Sequence, residues 1–156
     1  MTTQSIAGTA GGTAPAPRRP AGDLREVYET HMRYIAEQDI DGLVHDTYTD
    51  DAVLVHNFPY FDGPGPYRHV GKDAIIAAQK TIFAPANHGA IVAGPTFEFL
   101  ADGDTIVFQL HILSPTRGRW MNTDLWTVRD GKLAEQYVLG YPLDDVDRAW
   151  AESRPC

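Results

Sequence analysis

The spacing of apolar residues predicts three helices in the first half of the chain. Apolar side chains recur every three or four positions, as on one face of an α-helix, over residues 24–38, 39–48 and 72–83. The first of these stretches starts with Asp23 and Glu26, an Asp-x-x-Glu pattern that caps helix starts. A strand is predicted at 52–57, and the Pro-, Gly- and aromatic-rich stretch 58–70 predicts a loop or an irregular hairpin.

The second half of the chain changes to strand-like runs bounded by turn residues. Four such runs cover residues 90–100, 104–114, 119–129 and 132–141. Turn signals separate them at Asp102-Gly103, at 115–118 and at Asp130-Gly131, the last a strong signal for a two-residue hairpin turn. A short helix is predicted at 144–152. Helices grouped ahead of a four-strand meander indicate an α+β fold rather than alternating βαβ units.

One predicted strand carries polar residues on a face that should be buried. Counting back by twos from the Asp130-Gly131 turn puts five residues on one face: Trp120, Asn122, Asp124, Trp126 and Val128. Two tryptophans and a valine predict burial, yet the same face holds an amide and a carboxylate. A few polar groups converging in an apolar wall are typical of a small-molecule site, with Trp120 and Trp126 as its wall.

Charge and composition narrow the classes of partner. The 156 residues carry a net charge of −8 and are 43% hydrophobic. Nucleic acids and anionic membranes require a basic face, so neither is expected as a partner. No run approaches the length of a membrane span. The single cysteine, Cys156, excludes an intramolecular disulfide and favours a cytoplasmic location.

The first 21 residues differ in composition from the rest. Residues 1–21 are mainly Ala, Gly, Thr and Pro, which predicts a disordered tail without a secretion signal. Residues 22–153 are expected to form one domain. The six histidines form no His-x-His or His-x-x-x-His pair, and there is no Gly-x-Gly-x-x-Gly or phosphate loop. Neither a metal nor another cofactor is therefore expected.

The predicted turn at 115–118 suggests a catalytic pair. It brings His111 opposite Asn122 and Gln109 opposite Asp124, so that His111 and Asp124 are diagonal neighbours. A carboxylate that accepts one imidazole N–H fixes the tautomer and leaves the other nitrogen to exchange protons near neutral pH. The alternative is a structural network, because buried polar groups must be paired in any protein.

Three stretches resemble the nuclear transport factor 2-like superfamily, and most closely its SnoaL-like and limonene epoxide hydrolase branch: DDAVLVHNFP, VGKDAI and WTVRDGKLAEQYVL. The resemblance covers about residues 23–142. It implies a conical half-barrel, in which a strongly curved sheet wraps around N-terminal helices and encloses one deep, mostly apolar cavity. This fold hosts isomerases, dehydratases, cyclases, hydrolases and non-catalytic binders, so it does not decide the reaction.

The resemblance carries over only in part at the level of single residues. Asn57 and Pro59 match the Asn-x-Pro of limonene epoxide hydrolase, whose Asn helps to hold the attacking water. That enzyme's Arg-x-Asp pair falls on Gln109 and His111. Its last acid, like the acid of many SnoaL-like cyclases, falls on Val138. The resemblance therefore disfavours epoxide opening and implies that the acid/base role has moved to His111.

Other candidate residues have a structural alternative. His56 and Asn57 alternate along the strand, so one of them faces the cavity, and the Asn-x-Pro match favours Asn57, which otherwise caps a turn. Tyr60 and Tyr67, with Phe61, form either a lid or ordinary loop packing. Glu135 and Tyr137 reach the cavity depending on whether the last strand carries a bulge. Tyr28 and His31, on the apolar face of the first helix, are expected in the core.

Together these patterns predict a cofactor-free enzyme that acts on a hydrophobic small molecule. We expect a cyclase or isomerase of polyketide- or terpenoid-like intermediates in bacterial secondary metabolism, with His111, Asp124 and Asn57 as catalytic groups and Gln109 and Asn122 as hydrogen-bond donors. The alternatives are a dehydratase, an epoxide hydrolase and a non-catalytic ligand-binding protein.

A homodimer is also expected, because relatives commonly pair through the outer face of the sheet. The face assigned to the outside is strongly apolar and too large to leave in water. Its members are Ile106, Phe108, Leu110, Ile112, Met121, Leu125 and Val138.

Overall fold

The three predicted helices are present in a computed structural model of the chain, which describes residues 23–87, 97–114 and 118–143. The helices are α1 (Leu24–Glu37), α2 (Ile40–Thr47) and α3 (Lys72–Ile82). Asp23 caps α1 by accepting a hydrogen bond from the Arg25 amide. The predicted tail at 1–21 and the predicted helix at 144–152 lie outside the described residues.

Six strands form one mixed sheet in the order β2-β1-β6-β5-β4-β3. They are β1 (Tyr48–His56), β2 (Tyr67–Val70), β3 (Phe97–Asp102), β4 (Thr105–Ser114), β5 (Gly118–Arg129) and β6 (Lys132–Pro142). Strands β1 and β6 pair in parallel and the other neighbours are antiparallel. The α+β class is confirmed, and the irregular segment at 58–70 contains the short strand β2.

The predicted hairpin turn at the end of β5 is confirmed. Arg129 pairs with Lys132, so the loop consists of Asp130 and Gly131. Their φ angles of 52° and 76° are both positive, as a type I′ turn requires. The hairpin between β3 and β4 turns one residue later than predicted, at Gly103-Asp104, because Asp102 pairs with Thr105.

The predicted register between β4 and β5 is wrong by one residue. His111 lies opposite Met121, and Gln109 lies opposite Thr123 and hydrogen-bonds to its hydroxyl at 3.1 Å. Asp124 lies opposite Phe108 instead. Because successive strand residues point to opposite faces, a one-residue slip exchanges the two faces of β4.

The inner face of β4 is therefore the one that was assigned to the outside. Ile106, Phe108, Leu110 and Ile112 are all buried, whereas Gln109 and His111 lie on the outer face and are half-buried. Burial of each of these four large apolar side chains stabilises the fold by roughly 1.5–3 kcal/mol. The predicted register would leave them on the outer face and lose this stabilisation. The predicted contact between His111 and Asp124 does not exist.

A bulge decides which residues of β6 face inward. Thr127 pairs with Glu135 and Val128 with Leu133, so Ala134 is the extra residue. It reverses the alternation after Leu133 and turns Gln136 and Val138 inward, where both are buried. Glu135 and Tyr137, expected at the cavity, consequently lie on the exposed outer face.

The core lies between the inner face of the sheet and the helices. Tyr28 of α1 meets Phe108 of β4 edge to face, with 5.0 Å between ring centroids. Phe108 in turn meets Trp126 of β5 at 4.9 Å, again edge to face. None of the described helices has the length and apolar character needed to cross a membrane.

The apolar residues exposed on the outer face differ from those predicted. Of the residues expected there, Leu125 is exposed, whereas Met121 is buried against Leu143. Leu125 is joined by neighbours on β6, since it pairs directly with Tyr137. Four exposed apolar residues of this face lie on β5 and β6 and are here called the outer patch: Leu125, Tyr137, Leu139 and Tyr141.

Candidate functional site

A narrow cavity lies between the inner face of the sheet and helices α1 and α3. The volume open to the centre of a water-sized molecule is about 50 Å³, whereas one water needs about 10–15 Å³ by this measure. Most of its lining is apolar. The polar side chains that line it are His31, Gln79, Asn122, Asp124 and Gln136, together with the indole of Trp126.

Asp124 is a buried carboxyl group in this cavity, 4% exposed. Its Oδ1 accepts hydrogen bonds from Trp126 Nε1 at 3.1 Å and from Gln136 Nε2 at 3.0 Å. Trp126 follows Asp124 by two residues on β5 and lies on the same face of the strand. Gln136 of β6 pairs with Trp126. Burial raises the pKa of Asp124 to about 6, although the two hydrogen bonds oppose the rise.

A chain of hydrogen bonds fixes the orientation of Gln136 toward Asp124. Gln79 Nε2 donates to the Tyr48 hydroxyl at 3.2 Å, and that hydroxyl donates to Gln136 Oε1. Because the amide oxygen is used in this way, the amide nitrogen faces Asp124. Burial raises the pKa of Tyr48 strongly, so the phenol stays protonated as a donor.

His31 of α1 contacts the ring of the same indole. It is fully buried, and its ring centroid is 4.5 Å from that of Trp126. Its Nδ1 is 3.1 Å from Thr47 Oγ1. Burial lowers the pKa of His31 to about 3, so the ring is neutral near pH 7.

Asn122 is the third polar group predicted from the sequence that the structure places in the cavity, beside Asp124 and Trp126. It is buried, and its Oδ1 has no hydrogen-bond partner among the described residues. Gly140 lies opposite it on β6, and a Cβ there would stand 3.0 Å from Asn122 Oδ1 and 2.6 Å from the Phe58 ring. The absence of a side chain at Gly140 therefore leaves room for Phe58 at the cavity wall.

The resemblance implies a carboxylate on the last strand, and this chain has one on the neighbouring strand instead. Val138 occupies the position at which the resemblance implies a carboxylate, and it lines the cavity. Its direct partner on β5 is Asp124. The cavity therefore still holds one carboxylate, supplied by the neighbouring strand.

Asn57 does not line the cavity. Its side-chain amide donates to the Gly140 carbonyl at 2.9 Å and accepts from the Gly140 amide at 2.8 Å. Both ends of the amide thus join the end of β1 to β6, as a strand neighbour would. This geometry favours the structural alternative for Asn57 over a water-holding role.

His56, not Asn57, is the inward residue of the pair, but it faces a separate aromatic cluster. Its ring stacks on His69, with 3.1 Å between the two Nε2 atoms. Tyr67 also contacts this ring, and its hydroxyl binds the carbonyl groups of Phe61 and Gly63. Tyr67 therefore holds the 58–70 segment together by packing and hydrogen bonds.

Two further aromatic candidates also lie off the cavity. Tyr60 stacks on Phe58, with 5.9 Å between ring centroids. Trp120 is buried on the inner face of β5 but does not line the cavity. Of the aromatic wall residues expected from the sequence, only Trp126 contacts the cavity.

Three polar groups at the cavity were not predicted as site residues: His31, Gln79 and Gln136. Gln136 is turned inward by the bulge, and no residue pattern in the sequence predicts that bulge. His31 and Gln79 lie on the apolar faces of α1 and α3. A polar residue on such a face is the one sequence feature that could have indicated a role in the cavity. Among the described residues, no three His, Cys, Asp or Glu side chains converge as a metal site would require.

Comparison with known proteins identifies relatives of this chain. The family model of the SnoaL-like domain matches residues 28–136. A comparison with curated proteins found no match.

Solved structures similar to this one include a candidate polyketide cyclase from Sinorhizobium meliloti, 22% identical, with a TM-score of 0.59 over 77% of this chain and 99% of that one. A candidate isomerase from Bacillus subtilis is 23% identical, with a TM-score of 0.55 over 83% and 93%. A protein with a cystatin-like fold from Xanthomonas campestris is 14% identical, with a TM-score of 0.63 over 81% and 96%. These likenesses support the fold.

Proposed function

Since this chain belongs to the SnoaL-like domain family, we propose that it is a cofactor-free enzyme that moves protons on a hydrophobic small molecule, with Asp124 as the proton carrier. The reaction is a cyclisation or isomerisation of a polyketide- or terpenoid-like intermediate. The observation that supports this most strongly is a buried carboxyl group in the cavity, whose pKa of about 6 allows it both to take and to give a proton. General acids and bases work best when their pKa lies near the working pH.

The proposed step begins with ionised Asp124. Its carboxylate removes a proton from a carbon next to a substrate carbonyl, which leaves an enolate and a protonated Asp124. The enolate then takes a proton back at another position, or attacks a second carbonyl within the same molecule and closes a ring. In both cases the proton held by Asp124 returns to the product, so the balance needs no further reactant.

The neighbouring groups assist without carrying the proton. Trp126 and Gln136 both donate to Oδ1, and neither donates to Oδ2, which leaves Oδ2 for the substrate. The Asn122 amide has a nitrogen that can donate to an enolate oxygen. The apolar walls exclude water and so strengthen these contacts.

A non-catalytic ligand-binding protein remains the second candidate, and the small cavity volume favours it. Epoxide hydrolysis is less well supported, because Asn57 is bound to Gly140 at both ends and Val138 replaces the last acid. The pH dependence of turnover separates the first two candidates, since a binding protein has no turnover.

We expect the rate to rise as the pH increases through about 6. Asp124 acts as a base only when ionised, and burial raises its pKa to about 6. Below that pH the carboxyl is protonated and the rate falls tenfold for each unit. A profile of kcat/KM between pH 4 and 8 tests this, and a rate that is flat down to pH 4 would contradict it.

We also propose that the protein is a homodimer, joined through the outer patch. Leu139, at 56% exposed, and Leu125, Tyr137 and Tyr141 form this surface, and a contiguous apolar patch favours association. Light scattering of the full chain at micromolar concentration should give twice the monomer mass. Leu139→Lys should give monomers, whereas Ala77→Lys, at an exposed position of helix α3 on the other side of the sheet, should not. A monomeric wild-type protein would contradict the proposal.

A further inference from the structure

A buried histidine in the cavity has one ring nitrogen without a partner. His31 is 0% exposed, and its Nε2 makes no hydrogen bond to any residue that the structure describes. Leaving a buried polar atom unsatisfied costs about 1–3 kcal/mol. Such atoms are rare in native proteins, and a bound ligand or water is one explanation.

The hydrogen bonds around His31 fix its tautomer. Thr47 donates its only hydroxyl proton to the Leu43 carbonyl at 2.6 Å, because a carbonyl can only accept. Toward His31 Nδ1, at 3.1 Å, Thr47 Oγ1 must therefore act as the acceptor. The ring proton sits on Nδ1, and Nε2 carries a lone pair.

A lone pair requires a hydrogen-bond donor on the ligand. The Asn122 amide can present either its oxygen or its nitrogen, so it accepts both kinds of group. Of the two unsatisfied cavity atoms, His31 Nε2 and Asn122 Oδ1, only the former has its polarity fixed by its neighbours. The rest of the cavity wall is mainly apolar, and its members include Met32, Ile35, Leu110, Ile112 and Val138.

We propose that His31 is a ligand-binding residue of this cavity, whose Nε2 accepts a hydrogen bond from a hydroxyl group on an otherwise apolar ligand. The substrate class is thereby narrowed to alcohols, phenols and enols on a hydrophobic framework. A ligand whose polar groups are all ketones, ethers or esters leaves Nε2 unsatisfied. This inference rests on the proposed small-molecule site but not on the role of Asp124 as proton carrier.

His31 and Asp124, two polar groups of the cavity, have different roles. The pKa of His31, lowered by burial to about 3, makes its ring a weak base that holds a hydroxyl without removing its proton. Asp124, with a pKa of about 6, is the stronger base. His31 and the Asp124 carboxyl group are in contact with the same indole, at the ring of Trp126 and at its Nε1 respectively.

A ligand larger than the cavity extends toward a neighbouring surface pocket. Ile35 and Phe83 line both spaces, and the outer pocket has about 320 Å³ by the same measure. A cavity for benzene measures about 150 Å³, so a ring bound at His31 needs additional space from the outer pocket, which Ile35 and Phe83 border. Phe83 lies just beyond the end of α3.

Phenol and toluene test this inference because they have nearly the same shape and differ in one hydroxyl group. Their affinities for the full-length protein are measured at millimolar concentration by NMR titration. In His31→Phe, which keeps an aromatic ring but removes the acceptor, the ratio of phenol to toluene affinity should fall about 5-fold or more, since a net hydrogen bond contributes about 1 kcal/mol. His31→Gln, which restores an acceptor oxygen, should recover part of the ratio.

The ring nitrogens of His31 provide a readout that a merely structural role would not move. In ¹⁵N spectra, Nδ1 should be protonated and Nε2 unprotonated from pH 5 to 8. Phenol should shift the Nε2 signal toward the protonated side, and toluene should not.

An unchanged affinity ratio in His31→Phe, a proton on Nε2, or failure of both probes to bind the wild-type protein would each overturn the inference. These measurements follow binding and not turnover, so they can fail while the proton-transfer proposal stands, and the reverse also holds.

Discussion

Asp124→Asn should lower turnover by about 10²–10⁴-fold, the usual loss when a general acid/base is removed. The substitution keeps the shape of the side chain and an oxygen that can accept from Trp126 Nε1 and Gln136 Nε2. It removes the negative charge and, with it, the ability to take up a proton. Exchange of the α-protons of cyclopentanone in D₂O offers a readout that does not depend on knowing the natural substrate.

Two variants serve as controls for this measurement. Asp130→Asn makes the same chemical change in the exposed turn, where Asn-Gly is as favourable as Asp-Gly, and should leave the rate unchanged. His111→Gln changes a residue on the outer face of β4 and should also retain turnover. A folded Asp124→Asn with nearly wild-type activity would contradict the proposal, and a loss confined to His111→Gln would return the proton-carrying role to His111.

The same variant should change stability with a definite sign. Burial raises the folded-state pKa of Asp124 from 3.8 to about 6, so the fold resists its ionisation. The wild type therefore loses stability as the pH rises from 4 through 6, by roughly 2–3 kcal/mol at 1.36 kcal/mol per unit. Asp124→Asn lacks this loss, so its melting temperature relative to the wild type should increase between pH 4 and pH 8.

Phe108→Ala should destabilise the fold by about 3–5 kcal/mol, as truncation of a buried phenylalanine does. Phe108 is 1% exposed and packs against Tyr28 and Trp126. Its neighbour Gln109 lies on the outer face of β4, so Gln109→Ala should cost only about 1 kcal/mol or less. Urea unfolding of both variants at one pH measures the difference. A larger loss of unfolding free energy in Gln109→Ala than in Phe108→Ala would support the register predicted from the sequence and contradict the one in the structure.

The sequence predicts those elements that rest on local patterns. Helices α1, α2 and α3 follow from their apolar spacing, and the Asp130-Gly131 turn follows from the preference of these two residues for positive φ. That turn also set the phase of β5 correctly. Counting back from the turn therefore predicts Asn122, Asp124 and Trp126 on the inner face, where all three are buried.

The remaining errors concern the pairing between strands. Both faces of β4 carry apolar residues, so alternation could not choose between Phe108 and Gln109. The choice depended on the length of the turn predicted at 115–118, and Gly118 pairs with Ser114 as part of β5 instead. The bulge at Ala134 is likewise invisible in a pattern of single residues, and it exchanged Glu135 for Gln136 at the cavity. His31 lies on an apolar helix face. Its role depends on contacts with Thr47 and Trp126, which are distant in the sequence, so the pattern around His31 does not indicate it.

The titration of the Asp124 carboxyl group tests the central claim most directly, because it needs no substrate. The ¹³C signal of its carboxyl carbon can be followed by NMR in the full chain between pH 3 and pH 8, with the assignment checked against Asp124→Asn. Burial among Trp126, Gln136 and the apolar wall predicts a midpoint near pH 6. A midpoint at or below pH 4, the ordinary value for an exposed aspartate, would show that Asp124 is a simple buried anion and would contradict its proposed role as the proton carrier.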